Sequence, residues 1–167
     1  LLSLADRAEA VRAGNMKPTE DNMLRITSDG RKLALDQRML NGFLPDDPRS
    51  KANACIGHVL QIWRDTEAER LTQLLFCDLS TPRGDGFNVY QDIKEKLIKG
   101  GMPEQEIAFI HDADSDTQKA ALFSKVRSGL VRVLLGSTAK MGAGTNVQRL
   151  LVAEHHLDCP WRPADIE

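Results

Sequence analysis

Short apolar runs alternate along this chain with segments whose apolar residues recur at helical spacing. The runs are bounded by glycine or polar residues, as buried strands of a parallel sheet are, and they cover 71–76, 107–110, 131–135 and 150–157. Helical segments separate the first three runs, at 87–98 and 115–128. Alternation of this kind is typical of parallel strands joined by right-handed crossovers. The sequence therefore predicts an α/β fold with a mostly parallel sheet and flanking helices.

The helix before the third run has clear start and stop signals. Ser115 and Gln118 have the spacing of a capping box, and Gly129 marks the end of the helix. We expect three residues of this helix to be buried: Ala120, Phe123 and Val126.

Another helix is predicted just before the first strand. The prolines of 45–48 break the preceding chain, and Ser50 can cap the helix that follows. Its buried face is formed by apolar residues at helical spacing, namely Ile56, Val59, Leu60 and Trp63. Trp63 is accordingly interpreted as a core residue.

The first 49 residues have a weaker pattern. Residues 1–13 predict a short helix that stops at Gly14 and Asn15. From 17 to 44 the apolar residues follow no clean period, and the triplet 28–30, Ser-Asp-Gly, predicts a turn. We therefore divide the chain into a helical or irregular lead-in at 1–49 and an α/β lobe at 50–167.

Polar segments follow each predicted strand. Ser80 comes after the first strand, the second strand is expected to end at His111, and further polar segments cover 111–114, 137–146 and 158–161. The carboxyl ends of parallel strands meet at one edge of a sheet, where ligands usually bind. We expect these segments to lie along that edge.

The loop after the third strand combines hydroxyl groups, glycines and a positive charge. It contains Ser137, Thr138 and Lys140, followed by Gly142 and Gly144. Such a loop suits the binding of phosphate oxygens. For an isolated pair of glycines, a structural turn that relieves backbone strain is the simpler alternative.

Two familiar phosphate-binding motifs do not fit this loop. A dinucleotide-binding fold needs a crossover helix on the order of ten or more residues, whereas only 145–149 separate Gly144 from the next apolar run. A Walker loop places its lysine after the glycines, whereas Lys140 precedes them. The chain thus has no phosphate loop of its own.

Composition narrows the function classes only slightly. With 167 residues, 41% hydrophobic and 28% charged, the chain can form one domain with a real core. A net charge of −2 argues against a strongly basic nucleic-acid module but permits a local positive surface. No run is long enough to span a membrane. Three widely spaced cysteines and the absence of a signal-peptide pattern favour a cytoplasmic location.

A few other residues could be mistaken for metal or catalytic sites. His155 and His156 are adjacent in a strand and point to opposite faces, so they cannot chelate one ion together. Cys77 ends a buried strand and is interpreted as a small apolar filler. Three acidic residues lack the pattern of a calcium loop and suit helix capping: Asp112, Asp114 and Asp116.

Two segments near the end of the chain resemble motifs of one family. Residues 137–147 read S-T-A-K-M-G-A-G-T-N-V, and residues 158–163 read D-C-P-W-R-P. They are similar to motif V, S-T-K-A-G-G-x-G-x-N-L, and to the following D-x-x-W-N-P of the second RecA-like lobe of superfamily-two helicases and translocases, most closely the Swi/Snf-type ATPases. Met141 departs from the first motif and Arg162 from the second.

Weaker similarity extends upstream. Ser50 and Lys51 resemble the family's S-G-K segment without its glycine, 73–80 resembles the motif IV strand, and 110–126 resembles the D-G-s-t segment with its helix. The chain also looks like helicase regions of phage and mobile-element proteins that can carry a DNA methylase domain. This resemblance implies a RecA-like lobe.

The resemblance implies roles for residues at matching positions. Contacts with nucleic-acid phosphates fall to Ser137, Thr138 and Lys140, with Ser80 and Trp161 also on the nucleic-acid side. The nucleotide side comprises Gly142, Gly144 and Asn146. Asp158 and Trp161 are implied to hold this lobe against DNA and the partner lobe. No catalytic residue and no metal ligand is assigned.

By this resemblance, the chain is the C-terminal lobe of an ATP-dependent DNA helicase or translocase. ATP and Mg²⁺ would be bound mainly by a first RecA-like lobe of the same polypeptide, and the family's arginine-bearing motif VI would follow Glu167. We expect the chain alone to lack ATPase activity. The alternative function is a stand-alone α/β domain that binds a nucleotide or a methyl donor, and a third is an interaction module that keeps only the fold.

Overall fold

The computed structural model describes residues 3–80, 82, 86–141 and 146–158. Within them the helices are α1 (Leu4–Arg12), α2 (Met23–Leu35), α3 (Lys51–Asp65), α4 (Val89–Lys99), α5 (Asp116–Arg127) and α6 (Thr138–Met141). The strands are β1 (Thr72–Phe76), β2 (Ile107–Phe109), β3 (Val133–Gly136) and β4 (Leu151–His156). Short 3₁₀ turns cover Gln37–Met39, Glu104–Glu106, Ile110–Asp112 and Gln148–Leu150.

The described strands form one sheet in the order β2-β3-β1-β4. Each neighbouring pair is parallel, so all carboxyl ends lie at the same edge. The predicted fold class is confirmed: the chain is α/β, with a parallel sheet flanked by helices, an architecture consistent with a RecA-like lobe. No helix of the described residues is both apolar enough and long enough to cross a membrane.

Alternate residues of the strands supply two cores. On one face, Leu75 and Leu135 pack with α3 and α4. On the other face, Leu74 and Leu134 pack with Val126 of α5 and with Met141 of α6. Burial on both faces explains why β1 and β3 read as continuous apolar runs. The run at 150–157 is not buried as expected, because β4 lies at the edge of the sheet and each of its residues is at least partly exposed.

One prediction for residues 1–49 is wrong. The triplet 28–30 is not a turn, because α2 continues through it. Asn22 caps this helix by accepting a hydrogen bond from the Arg25 backbone N–H. The Asp29 carboxylate, which favours turns in isolation, instead accepts a hydrogen bond from the Arg7 guanidinium at 2.9 Å. A contact with α1, 22 residues earlier, thus replaces the local preference.

The end of the lead-in is anchored to the α/β lobe. Leu35 belongs to the same core cluster as α3 and α4. Arg38 donates two hydrogen bonds to the Asp92 carboxylate of α4, at 3.1 and 3.0 Å, and its guanidinium lies 4.2 Å from the centre of the Phe87 ring. These contacts fix the segment just before α3.

The predicted helix caps are confirmed, with one correction in α5. Ser50 accepts a hydrogen bond from the Asn53 backbone, and Ser115 forms the capping box with Gln118. Val126 is buried and Phe123 packs beside it, but Ala120 is exposed. Capping of α5 falls to Ser115, and of the acidic residues only Asp116 lies in its first turn.

Two boundaries differ from the sequence expectation. The second strand ends at Phe109 instead of His111, because the chain tightens into a 3₁₀ turn in which Ala113 donates its backbone N–H to the Ile110 carbonyl. The segment after the third strand is also not wholly a loop, since it begins with the single helical turn of α6.

The opposite edge, where the strands begin, carries a buried polar cluster. Arg132 is 1% exposed and donates hydrogen bonds to the backbone carbonyls of Trp63, Thr66 and Leu71. Trp63 is only partly buried, and its indole N–H donates to the Glu106 carboxylate at 2.8 Å. Burial lowers the pKa of Arg132. These groups join α3 to the sheet and lie away from the ligand edge.

Candidate functional site

The candidate site lies at the carboxyl ends of β1 and β3. These strands are neighbours, with Phe76 opposite Gly136 at their last paired position. From β1 the chain continues to α4 on one face of the sheet, and from β3 it enters α6 on the other face. Outgoing chains that diverge to opposite faces leave a crevice, which is the usual ligand position in open parallel sheets.

Asp158 holds the loop after β1 in place at this edge. It follows β4, is 5% exposed, and both of its carboxylate oxygens accept the Asp78 backbone N–H at 3.0 Å. One of them also accepts the Leu79 backbone N–H at 2.6 Å. Buried carboxylates need such donors to offset the loss of water. Asp158 thus fixes the loop after β1 through its buried carboxylate.

Asp78 joins the loop after β1 to the turn after β3. One carboxylate oxygen accepts the Thr138 backbone N–H and the other accepts the Thr138 hydroxyl, both at 2.8 Å. Charge-assisted pairs of this kind are stronger than neutral hydrogen bonds. Together the two aspartates connect β4, β1 and β3 at the ligand edge.

The wall of the crevice next to α4 is apolar and closely packed. The Tyr90 hydroxyl is buried and donates to the Cys77 carbonyl at 2.8 Å. Cys77 is 1% exposed and belongs to the core cluster, so its predicted packing role is confirmed. Burial raises the pKa of its thiol to about 12. Ser80 is partly exposed, and its hydroxyl oxygen lies 3.4 Å from the Val89 backbone N–H that begins α4.

Gly136 is required where β3 turns into α6. A Cβ atom at this position would lie 2.5 Å from Ile110 and 2.6 Å from Met141. The absence of a side chain lets the backbone of β3 pass close to these residues, so that Thr138 comes within reach of Asp78.

Ser137 and Lys140 flank Thr138 on this turn. The Ser137 carbonyl accepts the backbone N–H groups of Lys140 and Met141, both at 3.0 Å, which closes the turn. Both residues are partly exposed. Within the described part of the chain, no carboxylate forms an ion pair with Lys140. The sequence thus places three phosphate-compatible side chains on one turn.

The residues expected to contact the nucleotide are only partly described. Asn146 is exposed, and its carbonyl accepts a hydrogen bond from the Arg127 guanidinium at 2.9 Å. Gly142, Gly144 and Trp161 lie outside the described residues.

A small pocket of about 220 Å³ adjoins the buried Asp158. Its lining includes Arg31 of α2 and Lys51 at the start of α3, together with Leu35 and Leu157. The α3 helix therefore brings a second lysine to the same edge as Lys140. Local positive charge is present here although the chain as a whole has a net charge of −2.

The two adjacent histidines have separate structural partners. His155 Nε2 lies 2.9 Å from the Gln73 side-chain oxygen, whereas His156 stacks on Phe76 with the ring centres 4.8 Å apart. Burial, together with the nearby His58 and His156, lowers the pKa of His155. Among the described residues, no three side chains of the kinds that ligate metals converge.

Asp78 is the site residue that the sequence reasoning missed. The position of Asp78 in the sequence could have indicated its role, because it lies two residues after a buried strand, at the predicted ligand edge. A single carboxylate in a loop is common, however, and its partner Thr138 lies 60 residues further along the chain.

Comparison of this chain with protein-family models, curated proteins and solved structures finds no match.

Proposed function

We propose that this chain is the second lobe of an ATP-dependent DNA helicase or translocase, and that its turn after β3 contacts nucleic-acid phosphates. One observation carries the proposal: Ser137, Thr138 and Lys140 lie together at the carboxyl end of β3, where the chains leaving β1 and β3 diverge. Motif V of the resembled lobe has these residue types in the same order.

The chemistry of the turn supports phosphate binding. Serine and threonine hydroxyl groups donate hydrogen bonds to phosphate oxygens, and an ammonium group adds a positive charge. Lys140 has no ion-pair partner among the described residues, so its charge is available to a ligand. Lys51 lies at the same edge of the sheet, beside the pocket next to Asp158.

In this proposal the chain supplies only part of the ATP site. Gly142, Gly144 and Asn146 would line one side of an ATP cleft, and a first lobe would hold the phosphates and Mg²⁺. When bound, ATP supplies the phosphoryl-transfer energy for movement on DNA. This chain's own contribution is to grip the nucleic-acid backbone and to respond to the nucleotide through the same turn.

The test is fluorescence anisotropy of a short labelled duplex DNA titrated with the chain and its Lys140→Ala variant. Loss of one lysine contact to phosphate should weaken binding and lower the slope of log affinity against log salt by about one. Lys99→Ala is the matched control, because Lys99 is exposed at the far end of α4. Its effect should be small.

Two results would contradict the proposal. Equal DNA affinity of the wild type and Lys140→Ala would show that Lys140 does not contact nucleic-acid phosphates. Micromolar binding of a small nucleotide or methyl donor by the chain, measured by titration calorimetry without any DNA affinity, would favour the stand-alone cofactor domain.

A further inference from the structure

The two donors that Thr138 could offer to a phosphate are already occupied. Its backbone N–H and its hydroxyl each donate to one oxygen of the Asp78 carboxylate, at 2.8 Å. A carboxylate and a phosphate both present paired oxygens to such donors. Asp78 therefore stands where a phosphate group would stand if Thr138 bound one.

We propose that Asp78 is an internal competitor of phosphate at Thr138, and that nucleic acid binds in full only when the Asp78 carboxylate leaves. This inference rests on the proposed function, since it gives the phosphate-binding turn a closed and an open state. In the closed state the donors of Thr138 are satisfied within the chain. In the open state a backbone phosphate takes the place of the carboxylate.

The surroundings of Asp78 allow its side chain to move while its backbone stays in place. The side chain is exposed, and no ion pair joins it to a basic group of the described residues. Its backbone N–H, in contrast, is held by the buried carboxylate of Asp158. Release of Thr138 thus needs a side-chain rotation into solvent and leaves the loop anchored.

Competition between phosphate and the Asp78 carboxylate favours a nucleic-acid strand over a single phosphate ion. A free phosphate ion would replace two hydrogen bonds by two similar ones and would meet the negative charge of Asp78. A nucleic-acid strand also offers neighbouring phosphates to Ser137 and Lys140 on the same turn. Additional contacts of this kind favour a polyanion over a single phosphate.

The experiment compares DNA affinity across a double-mutant cycle, by anisotropy with a short labelled duplex. Asp78→Asn keeps the side-chain volume but removes the charge and one acceptor oxygen, and we expect it to raise affinity roughly tenfold. Thr138→Val should lower affinity, and the gain from Asp78→Asn should vanish in the double variant. Asp65→Asn at the far end of α3 is the charge control, and it should change affinity less than about twofold.

Amide and carboxyl NMR spectra of the wild type provide a second measurement. Addition of the duplex should shift both the Thr138 amide and the Asp78 carboxyl carbon, because their contact breaks. A shift of Thr138 with an unchanged Asp78 carboxyl resonance would overturn the competition. Inorganic phosphate at equal charge concentration should leave both resonances in place.

The outcomes separate this inference from the proposed function. If Thr138→Val weakens DNA binding but Asp78→Asn does not strengthen it, or if that variant loses its folded spectrum, Asp78 is a structural residue and the competitor role is wrong. If neither the wild type nor Asp78→Asn binds DNA, the proposed function itself fails.

Discussion

The carboxylate of Asp158 holds the backbone N–H of Asp78, across 80 residues of sequence, with both oxygens at 3.0 Å. This contact joins the ends of β4 and β1 and sets the position from which Asp78 reaches Thr138. Two aspartates therefore connect the strand ends at this edge: the buried Asp158 binds the backbone of Asp78, and the exposed Asp78 binds Thr138.

Replacement of Asp158 by alanine should destabilise the chain by about 3 kcal/mol. The change leaves the backbone N–H groups of Asp78 and Leu79 without their acceptor next to a buried site. Asp158→Asn, which keeps one acceptor oxygen, should cost roughly half as much. Urea unfolding measures both, with the exposed Asp65→Ala as a control expected within about 0.5 kcal/mol of wild type. Equal stability of Asp158→Ala and wild type would show that the contact is not needed.

Tyr90→Phe should lower stability by about 1 kcal/mol, since it removes the buried hydroxyl that donates to Cys77. Burial raises the pKa of Tyr90, which is the single tyrosine of the chain. The neutral phenol thus contributes stability below about pH 10, its unfolded pKa, and this contribution is lost as the pH rises toward the folded pKa. Phenolate absorbance of the native chain should appear only above pH ~10; a normal titration would refute the buried contact.

Gly136→Ala should destabilise the chain by about 1–3 kcal/mol, because the new methyl group would collide with Ile110 and Met141. Gly57→Ala is its matched control. Gly57 lies in the middle of α3 with open space around it, so alanine there should add up to about 1 kcal/mol by helix propensity. Thermal or urea unfolding measures both variants, and Gly136→Ala should be less stable than wild type while Gly57→Ala should not. A Gly136→Ala variant as stable as wild type would mean that β3 and α6 are not closely packed.

Stability should fall as the solution is acidified through the titration range of His155. Its pKa is lowered in the folded chain, so below an unfolded pKa of about 6.5 the unfolded state binds the proton first. The contribution is present above pH ~6.5 and is lost as the pH falls toward the folded pKa.

A His155→Gln variant tests this assignment, because it keeps a side-chain amide near Gln73 without a group that titrates. The free energy of unfolding, measured by urea between neutral and mildly acidic pH, should fall less steeply in the variant. Parallel curves for wild type and variant would place the acid sensitivity elsewhere.

The sequence by itself determined the fold class and most of the helices and strands of the α/β lobe. The buried apolar runs of β1 and β3, the caps at Ser50 and Ser115, and the stop at Gly129 are short-range signals. At Gly129 the backbone has φ +73, and a Cβ atom would approach the Arg70 carbonyl to 2.8 Å. These signals need few distant contacts, and the structure confirms them.

Only the tertiary structure decided the strand order, the continuation of α2 through 28–30, and the pairing of Asp78 with Thr138 and Asp158. Each depends on groups far apart in sequence: Arg7 with Asp29, β1 between β3 and β4, and a carboxylate with an N–H 60 residues away. The physical reason is that these contacts form between residues that only the folded chain brings together. Hydrophobic periodicity and helix caps, in contrast, involve residues a few positions apart in the chain.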